Sequence, residues 1–560
     1  MTDETPETAA PTAADVLVRC LEAEGVQYIF GIPGEENLEV IEALKGSSIR
    51  FITTRHEQGA AFMADVYGRL TGRAGVCLAT LGPGATNLIT GVADANSDGA
   101  PLVAITGQVG TERMHLTSHQ YLDLEGLFSP VTKRTKQVLR PDSIPEIVRI
   151  CFKYAQDEKP GAAHIDLPCN IAAMPVPEGV GRTPLVPVPE KVEFPALADV
   201  QAARDIIDAA ERTVVLVGHA AVRSHAARAL TAFARALNIP VVNTMMAKGV
   251  IPDDDALCMG TVGIPQKDYQ NVILDRADLV ICVGYDLVEY APGKWNKALS
   301  HGILHIDARP AHVNSYYQPQ LQVVGDVSAA LDWIAESGRR HADPEFALQV
   351  NRRRLAEFHS TDADGAWPMK PQRILSDVRR VMGRDDILVS DVGAHKMWIA
   401  RHYGCYEPNT CIISNGFATM GIAVPGALAA KLANPDKRVL AVSGDGGFMM
   451  NCQEIETAVR CHIPFVTLIF TDASYGLIKW KQNDRYGTSS MVDFTNPDFV
   501  LFAQSMGAKG FRIEDPSQLV PTLEEAFASD VPCIIDCPVD YGQNTLLTEH
   551  LATLVHELEG

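Results

Sequence analysis

Two acids in the last third of the chain have the type and spacing that could do chemistry. Asp445 lies in the turn Gly444-Asp445-Gly446, and Asp472 follows 27 residues later. Glycine at Gly446 and Gly447 lets a phosphate group approach the backbone, and a helix that begins there supplies N–H donors and the positive end of its dipole. Two carboxylates beside a phosphate group favour a hard divalent cation, most simply Mg²⁺. The pattern therefore predicts a phosphate site that is closed by a metal ion.

Two apolar runs would bring these acids to one edge of a sheet. The run Val439 to Val442 is typical of a buried strand and ends just before the turn, and the run Phe465 to Phe470 is typical of the next strand. A helix between two such strands makes a parallel unit, and open α/β sheets bind ligands beyond the carboxyl ends of their strands. Asp-Gly also marks ordinary turns, so the turn alone leaves a purely structural interpretation open.

A third acid, Glu57, has a comparable position near the N-terminus. It follows a predicted strand at residues 50–54 and opens an apolar helix in the sequence Arg55-His56-Glu57-Gln58-Gly59-Ala60-Ala61. One interpretation is a shielded carboxylate that acts on a bound cofactor. The other is an acid at a helix N-terminus, where the helix dipole favours negative charge. The residues themselves leave both interpretations open.

The composition is typical of a globular enzyme with several domains. The chain has 560 residues, of which 46% are hydrophobic and 21% are charged. Its net charge of −21 argues against nucleic-acid binding, which needs basic patches. No apolar run reaches the roughly 18 residues that a membrane span needs. We therefore expect neither nucleic acid nor membrane as a partner.

The N-terminal segment and the cysteines both indicate a cytoplasmic location. Residues 1–11 lack the basic and apolar parts of a signal peptide, and we predict a disordered tail there. The 12 cysteines are scattered, without a Cys-x-x-Cys pair. Buried, reduced thiols are therefore favoured over disulfides or a metal site.

Strand and helix patterns alternate along the chain, which predicts an α/β fold of three doubly wound parallel-sheet domains. The domains are predicted at residues 12–175, 195–340 and 370–545. A segment rich in Pro and Val, residues 172–198, predicts a first linker, and a polar helical stretch at about residues 340–365 predicts a second.

Local signals refine this outline. Thr12 and Asp15 predict an N-cap pair for the first helix, and Asn451 with Glu454 predicts a capping box at the start of the helix after the acid turn. Gly218 and Gly284 each follow a strand of the middle domain. Neither belongs to a G-x-G-x-x-G sequence, so structural turns are favoured there over a nucleotide site.

Three segments resemble one known family. Residues 31–44, GIPGEENLEVIEAL, and residues 55–107, which begin RHEQGAAFMADVYGRL, are similar to the pyrimidine-binding domain of the acetolactate synthase and pyruvate decarboxylase superfamily. Residues 444–476 resemble the thiamine diphosphate fingerprint of that superfamily. Asp472 stands where the fingerprint usually has Asn, as it does in the catabolic acetolactate synthases. The resemblance covers nearly the whole chain and implies pyrimidine-binding, middle and diphosphate-binding domains.

The resemblance implies two catalytic residues. Glu57 would be the acid that activates the cofactor by acting on its pyrimidine ring. Gln120, in the sequence Ser118-His119-Gln120, would face the reacting centre and bind substrate.

The resemblance also implies the residues that hold the cofactor and its metal. Asp445, Asp472 and the main-chain carbonyl of Ser474 would bind Mg²⁺, and Met420 would wedge between the two rings of thiamine diphosphate. The remaining implied cofactor contacts, besides Glu57, are Pro33, Val392, Gly393, His395, Phe417, Gly444, Gly446, Gly447, Tyr475, Gly476 and Leu477.

The reaction implied by the resemblance is that of an acetolactate synthase, a transferase dependent on thiamine diphosphate. Such an enzyme decarboxylates pyruvate and joins the hydroxyethyl fragment to a second pyruvate, giving 2-acetolactate and CO₂. The family places its active sites at a dimer interface, so we expect a homotetramer, and FAD is not expected. The alternatives are another thiamine-dependent 2-keto acid decarboxylase or carboligase with a different acceptor, and a non-catalytic paralogue that acts as a binding partner.

Three positions depart from the catabolic pattern. Glu36 stands where those enzymes have Lys, Leu477 where they have Met, and Lys481 where they have Gln. These residues would line the acceptor side of the site. Lys481 would either pair with the carboxylate of the acceptor substrate or be an ordinary surface lysine, and both interpretations stay open.

Overall fold

The structure is a computed structural model that describes residues 10–188, 193–264, 267–336, 340, 344–359, 364–548, 551, 553 and 557. Most of the predicted tail and parts of both predicted linkers lie outside these ranges. None of the helices within the ranges combines the length and apolar character that a membrane span requires. The 12 cysteines, all within the described ranges, are free thiols, as predicted.

By its internal contacts the chain divides into two compact units. One unit lies within residues 1–190 and also takes in residues 428–433 and 453–461, and the other takes the remainder of the chain. The first unit contains one parallel sheet, and the second contains two.

The sheet of the first unit has six described strands in the order β2-β1-β3-β4-β6-β5, all parallel. Strands β3, β4 and β6 are buried along their whole length, as parallel strands covered by helices on both faces must be. The strands are β1 (Tyr28–Gly31), β2 (Arg50–Thr53), β3 (Gly75–Ala79), β4 (Leu102–Gln108), β5 (Arg134–Gln137) and β6 (Ala162–Pro168). The helices are α1 (Ala13–Ala23), α2 (Leu38–Leu44), α3 (Glu57–Thr71), α4 (Pro83–Asp98), α5 (Leu124–Phe128), α6 (Ile144–Gln156) and α7 (Cys169–Ala173).

The capping signals of this sheet are as the residues predict. Thr12 Oγ1 accepts from the Asp15 backbone N–H while the Asp15 carboxylate accepts from the Thr12 N–H, which closes a capping box on α1. Helix α3 ends at Gly72, whose φ of 68° is a left-handed conformation that glycine adopts without strain.

The middle sheet has the strand order β12-β11-β10-β7-β8-β9, which is the arrangement of dinucleotide-binding folds. Its strands are β7 (Thr213–Val217), β8 (Val241–Asn243), β9 (Cys258–Thr261), β10 (Leu279–Val283), β11 (Gly302–Asp307) and β12 (Leu321–Val324). Its helices are α8 (Leu197–Ala209), α9 (Ala220–Arg223), α10 (Ala227–Leu237), α11 (Tyr269–Arg276), α12 (Val327–Ala335) and α13 (Glu345–His359). Helix α13 falls in the predicted second linker, but Ala347 and Val350 pack into the core of the middle sheet, so this part of the linker is integral to the fold.

The third sheet has the order β14-β13-β15-β16-β18-β17, which repeats the order of the first sheet strand for strand. Its strands are β13 (Ile387–Ser390), β14 (Cys411–Ile413), β15 (Val439–Gly444), β16 (Val466–Thr471), β17 (Lys509–Arg512) and β18 (Cys533–Pro538). The remaining helices in chain order are α14 (Pro371–Val381), α15 (Ala394–His402), α16 (Ala423–Ala433), α17 (Asp445–Asn451), α18 (Glu454–Cys461), α19 (Gly476–Tyr486), α20 (Phe499–Ser505) and α21 (Leu519–Phe527).

These three parallel sheets, flanked by helices, confirm the predicted fold class. The domain bounds 12–175, 195–340 and 370–545 stay predictions. One local prediction is wrong: the helix after the acid turn begins at Asp445, and Asn451 is its last residue. The cause is that Asn451 donates a hydrogen bond to the Gly421 carbonyl, and that Glu454 accepts from backbone N–H groups of Arg55 and His56.

Candidate functional site

A cavity of about 190 Å³ opens at the carboxyl edge of the third sheet. The edge is a topological switch point, because the chain leaves β13 toward β14 on one side and β15 continues toward β16 on the other. The loops after β13, β15 and β16 therefore converge there. The predicted residues that line the cavity are Val392, Gly393, His395, Met420, Gly444, Asp445, Gly446, Gly447, Asp472, Ser474, Tyr475, Gly476 and Leu477.

Asp445 is the most firmly held acid of this cavity. Its Oδ2 accepts hydrogen bonds from the backbone N–H groups of Asp472 and Ala473, at 3.1 and 2.7 Å, and from Asn496 Nδ2 at 2.7 Å. Its Oδ1 accepts from the Gly446 N–H at 2.8 Å. Burial raises the pKa of Asp445, and these hydrogen bonds oppose the rise. The carboxylate is thus fixed in one orientation at the N-terminus of α17.

Asp472 is held more loosely on the neighbouring strand end. Its Oδ2 accepts from Ser474 Oγ at 2.6 Å. Burial raises the pKa of Asp472 to about 6, the Ser474 hydrogen bond lowers it, and repulsion by the Asp445 carboxylate raises it. Two carboxylates that repel one another in a buried site are stabilised when a cation lies between them.

Glycines line the floor of the cavity because side chains would fill it. A Cβ on Gly447 would lie 2.9 Å from Asp391 Oδ1, and a Cβ on Gly446 would lie 2.9 Å from the Tyr475 ring. A Cβ on Gly476 would lie 3.0 Å from Asp472 Oδ2. The bare backbone at the start of α17 and α19 can therefore meet a phosphate group directly.

The loop that carries Met420 is tied to the end of β13 by a buried acid. Asp391 accepts hydrogen bonds from the backbone N–H groups of Val392, Gly421 and Ala423. Burial raises the pKa of Asp391 to about 6, against the effect of these donors. Since Gly421 follows Met420 directly, Asp391 fixes the Met420 side chain at the cavity wall.

His395 supplies a buried polar atom to the same wall. Its Nε2 has no hydrogen-bond partner among the described residues, although the side chain is almost fully buried. Burial lowers the pKa of His395 to about 4, so the ring is neutral at physiological pH. A buried ring nitrogen without a partner costs stability unless a ligand satisfies it.

The donors at this edge fit a diphosphate with a divalent cation. Within the described residues no group of three or more His, Cys, Asp or Glu side chains could hold a metal ion alone. Two carboxylates with a nearby carbonyl leave a hard cation short of ligands, and phosphate oxygens would supply the rest. The cavity thus suits a metal that arrives with a phosphorylated cofactor.

Glu57 lies in the first unit, at the first position of α3 directly after β2. The side chain is buried, and Asn87 Nδ2 donates to its Oε2 at 3.0 Å. His56 caps α3 by accepting from the Gln58 N–H at 3.0 Å. A Cβ on Gly84 would lie 3.4 Å from Glu57 Oε1, so the missing side chain keeps space open beside the carboxylate.

Gln120 and Glu36 lie near the same turn as Gly84. Gln120 has a positive φ of 58°, and its backbone and Cβ lie against Gly82, where a Cβ would approach to 2.9 Å. Thr80 Oγ1 donates to Glu36 Oε2 at 2.7 Å. The first unit therefore gathers Glu57, Gln120 and Glu36 around the turn that follows β3.

Three predicted residues lie away from these two groups. Phe417 is 52% exposed and Lys481 is exposed, and neither lines the cavity of the third sheet. Pro33 is exposed in the loop after β1. The roles assigned to these residues stay predictions.

The structure also adds residues that sequence reasoning missed. Asn496 reaches Asp445 from 51 residues away, and no local pattern marks it. Ala418 lines the cavity with a positive φ of 57°, and Tyr541 closes its far side. Tyr541 was noted only as part of a family-like segment, and its position beside β18 was the available signal.

Comparison with protein families covers all three sheets. The descriptions of the matching models are thiamine pyrophosphate enzyme, N-terminal TPP binding domain, at residues 11–127; central domain, at residues 200–334; and C-terminal TPP binding domain, at residues 391–537.

Curated relatives match along most of their own length. The acetolactate synthase of Bacillus subtilis (strain 168) is 36% identical over 542 residues, which are 95% of this chain and 94% of that protein. The catabolic acetolactate synthase of Raoultella terrigena is 37% identical over 548 residues, or 96% and 97% of the two chains. A probable acetolactate synthase large subunit of Methanocaldococcus jannaschii is 36% identical over 547 residues, or 94% and 92%.

Proposed function

The chain belongs to the thiamine pyrophosphate enzymes, and from that premise we propose that it is an acetolactate synthase. It converts two molecules of pyruvate into one 2-acetolactate and one CO₂, as a transferase that forms a carbon–carbon bond. The observation that carries the proposal is the cavity of the third sheet, where the glycine floor and the Asp445–Asp472 pair meet. The relatives named acetolactate synthase match this chain over nearly all of it.

Thiamine diphosphate, when bound, supplies the electron sink on which a 2-keto acid loses CO₂. The task of Glu57 is to hold a proton against the pyrimidine ring of the cofactor. The buried carboxylate, the Asn87 hydrogen bond and the open space at Gly84 suit that task. A carboxylate in a shielded site exchanges a proton without competition from water.

The residues of the third sheet bind the charged end of the cofactor. Asp445 and Asp472 hold Mg²⁺ through their carboxylates, with the carbonyl of Ser474 as the third protein ligand. The N–H groups at the start of α17 and α19 meet phosphate oxygens, and Tyr475 covers them. Met420 and His395 contact the cofactor rings from the side of β13.

Substrate orientation falls to residues around the turn after β3 and on α19. Gln120 donates or accepts a hydrogen bond at the substrate oxygen. Lys481 pairs with the carboxylate of the acceptor pyruvate, and Glu36 and Leu477 border the same space. These three departures from the catabolic pattern make acceptor choice the property in which this enzyme differs from its relatives.

We also propose that the enzyme needs no flavin. In the middle sheet the switch point lies between β7 and β10, where such folds bind nucleotides. Buried Glu289 lies there and accepts hydrogen bonds from the His219 N–H and Thr244 Oγ1. Its carboxylate takes up donors that a nucleotide would otherwise use.

Glu57 lies in the first unit and the diphosphate site in the second, and the family combines such parts across two subunits. A dimer is therefore the minimal active unit in this proposal, with a homotetramer as the expected assembly and the cytoplasm as its location.

The test is turnover of pyruvate with thiamine diphosphate and Mg²⁺ and without FAD. The proposal expects CO₂ together with acetolactate, detected as acetoin after acid treatment. CO₂ with free acetaldehyde would make the protein a decarboxylase, and binding of the cofactor without turnover would indicate a different 2-keto acid. Size-exclusion chromatography with light scattering tests the assembly separately.

A further inference from the structure

A second cavity, of about 810 Å³, lies between the middle and third sheets of the second unit. Its wall is formed by the loop after β8, by α13 and by α14 and α15, and it shares no lining residue with the diphosphate cavity. Pockets of this volume suit metabolite-sized ligands. The charged side chains of the wall are Lys248, Arg352, Arg354, Arg379, Arg380 and Arg401, against Asp253, Asp254 and Asp255.

The three acids of the wall already have partners. Asp253 accepts from the Cys405 N–H at 2.8 Å and lies 3.6 Å from Lys248 Nζ. Asp254 pairs with Arg384 at 2.7 Å, and Asp255 pairs with Arg235 at 2.7 Å. These carboxylates therefore do not neutralise the arginines that face the cavity.

Two of the buried cations are also paired. Arg401 forms ion pairs with Asp268 and Glu357, each at 2.7 Å. Lys248 Nζ donates to the Ala400 carbonyl at 3.2 Å and lies near Asp253. Neither of them needs a ligand to satisfy its charge.

Arg354 is different. It is only 5% exposed, and its Nε donates to Asn351 Oδ1 at 2.7 Å. Its guanidinium lies 5.1 Å from the centre of the Phe358 ring. Among the described residues it has no carboxylate partner, and neither terminal nitrogen forms a hydrogen bond. A buried guanidinium with two free N–H₂ groups is costly unless an anion meets it.

The surroundings keep space for the guanidinium and concentrate positive charge. A Cβ on Gly260 would lie 2.8 Å from Arg354 Nη1, so glycine is required beside the head group. His402 Nε2 accepts from Arg401, and burial together with Arg401, Arg354 and Lys248 holds the pKa of His402 well below its usual range. Gln372, also on the wall, has an Oε1 without a partner among the described residues.

We propose that this cavity binds a metabolite through an oxyanion group, carboxylate or phosphoryl, that the terminal nitrogens of Arg354 hold. The guanidinium fork matches either group with two parallel hydrogen bonds. The unpartnered Gln372 Oε1 accepts from a hydroxyl or amine of the same ligand. The site is separate from the diphosphate cavity, and its existence does not depend on the reaction proposed above.

The test uses the enzyme loaded with saturating thiamine diphosphate and Mg²⁺, so that the diphosphate cavity is filled. Inorganic phosphate and succinate are titrated separately by calorimetry at constant ionic strength, which tells a phosphoryl site from a carboxylate site. The proposal expects saturable binding of one of them. Arg354→Gln should weaken that binding about tenfold or more, since a hydrogen bond to a charged group is lost.

Arg353→Gln is the matched control. Arg353 is the neighbouring residue on α13, is exposed and does not line the cavity, so its loss should leave binding unchanged. If Arg354→Gln does not fold, Arg354→Lys keeps the charge without the fork and should weaken binding to an intermediate degree. No saturable binding of either probe by the wild type, or equal binding by both glutamine variants, would overturn the proposal.

Discussion

The carboxylate of Asp445 accepts a hydrogen bond from the backbone N–H of Asp472, with Asp445 Oδ2 and the amide nitrogen 3.1 Å apart. One acid thereby fixes the loop that carries the other, although 27 residues separate them in the chain. The ends of β15 and β16 are locked together at the point where the cofactor's charged end is proposed to bind. The two acids should therefore differ in how much each can be changed.

The first prediction compares Asp445→Asn with Asp472→Asn. Asp445→Asn places an amide among donors that need an acceptor, so we expect the Kd for thiamine diphosphate with Mg²⁺ to rise about 100-fold or more. Asp472→Asn keeps an oxygen ligand and the residue type of the common fingerprint, so most of the affinity should remain. Fluorescence titration measures both, with exposed Asp530→Asn as the charge control. Equal losses in the two variants would contradict the asymmetry.

The second prediction concerns Glu57→Gln. The amide keeps a partner for Asn87 but cannot hold the proton, so kcat should fall by about 10²- to 10⁴-fold. The affinity for thiamine diphosphate should stay within a few fold, because the charged end of the cofactor is bound elsewhere. Steady-state kinetics with exposed Glu42→Gln as control decides it. A kcat close to that of the wild type would remove Glu57 from the catalytic machinery.

The third prediction concerns stability of the first unit. Buried Arg69 pairs with Asp65 at 2.6 Å and with Asp94 and Asp98 at 2.9 Å each. Arg69→Met leaves three carboxylates buried without their cation, so we expect a loss of about 3–5 kcal/mol. Calorimetric melting measures the loss against exposed Arg73→Met, which should change stability by less than about 0.5 kcal/mol. A melting temperature for Arg69→Met equal to that of Arg73→Met would refute this account.

The fourth prediction is a pH dependence that arises from Glu454. This fully buried carboxyl accepts from the N–H groups of Arg55 and His56, and burial raises its pKa from 4.5 to about 7 despite those donors. Folding therefore favours the neutral acid, whose contribution is full below about pH 4.5 and is lost as the pH rises through 7.

Glu454→Gln cannot ionise, so it should gain stability relative to the wild type between pH 5 and pH 8. The gain should be on the order of 3 kcal/mol across that window. Melting temperatures of both proteins at half-unit pH steps measure it. A difference that does not change with pH would show that the pKa of Glu454 is not raised.

The position of the diphosphate site could be predicted from the chain because it depends on local features. Apolar runs mark β15 and β16, and parallel strands bring Asp445 and Asp472 to one edge whatever the rest of the fold does. The capping box at Thr12 was equally predictable, since both partners lie within one helical turn.

Other features depend on contacts across long stretches of chain, which local patterns do not reveal. The capping box predicted at Asn451 was wrong because Asn451 and Glu454 bond to Gly421 and to the Arg55 region instead. Asn496 reaches Asp445 through tertiary folding alone. The same holds for the unpaired guanidinium of Arg354, whose isolation appears only when α13 packs against the middle sheet.

The most direct test of the central claim is the stoichiometry of pyruvate consumption by the enzyme with thiamine diphosphate and Mg²⁺. ¹³C-labelled pyruvate followed by NMR gives CO₂ and all carbon products in one experiment. An acetolactate synthase releases one CO₂ for every two pyruvates consumed, with acetolactate as the sole organic product. One CO₂ for every pyruvate, with acetaldehyde accumulating, would contradict the proposed function while leaving the cofactor site intact.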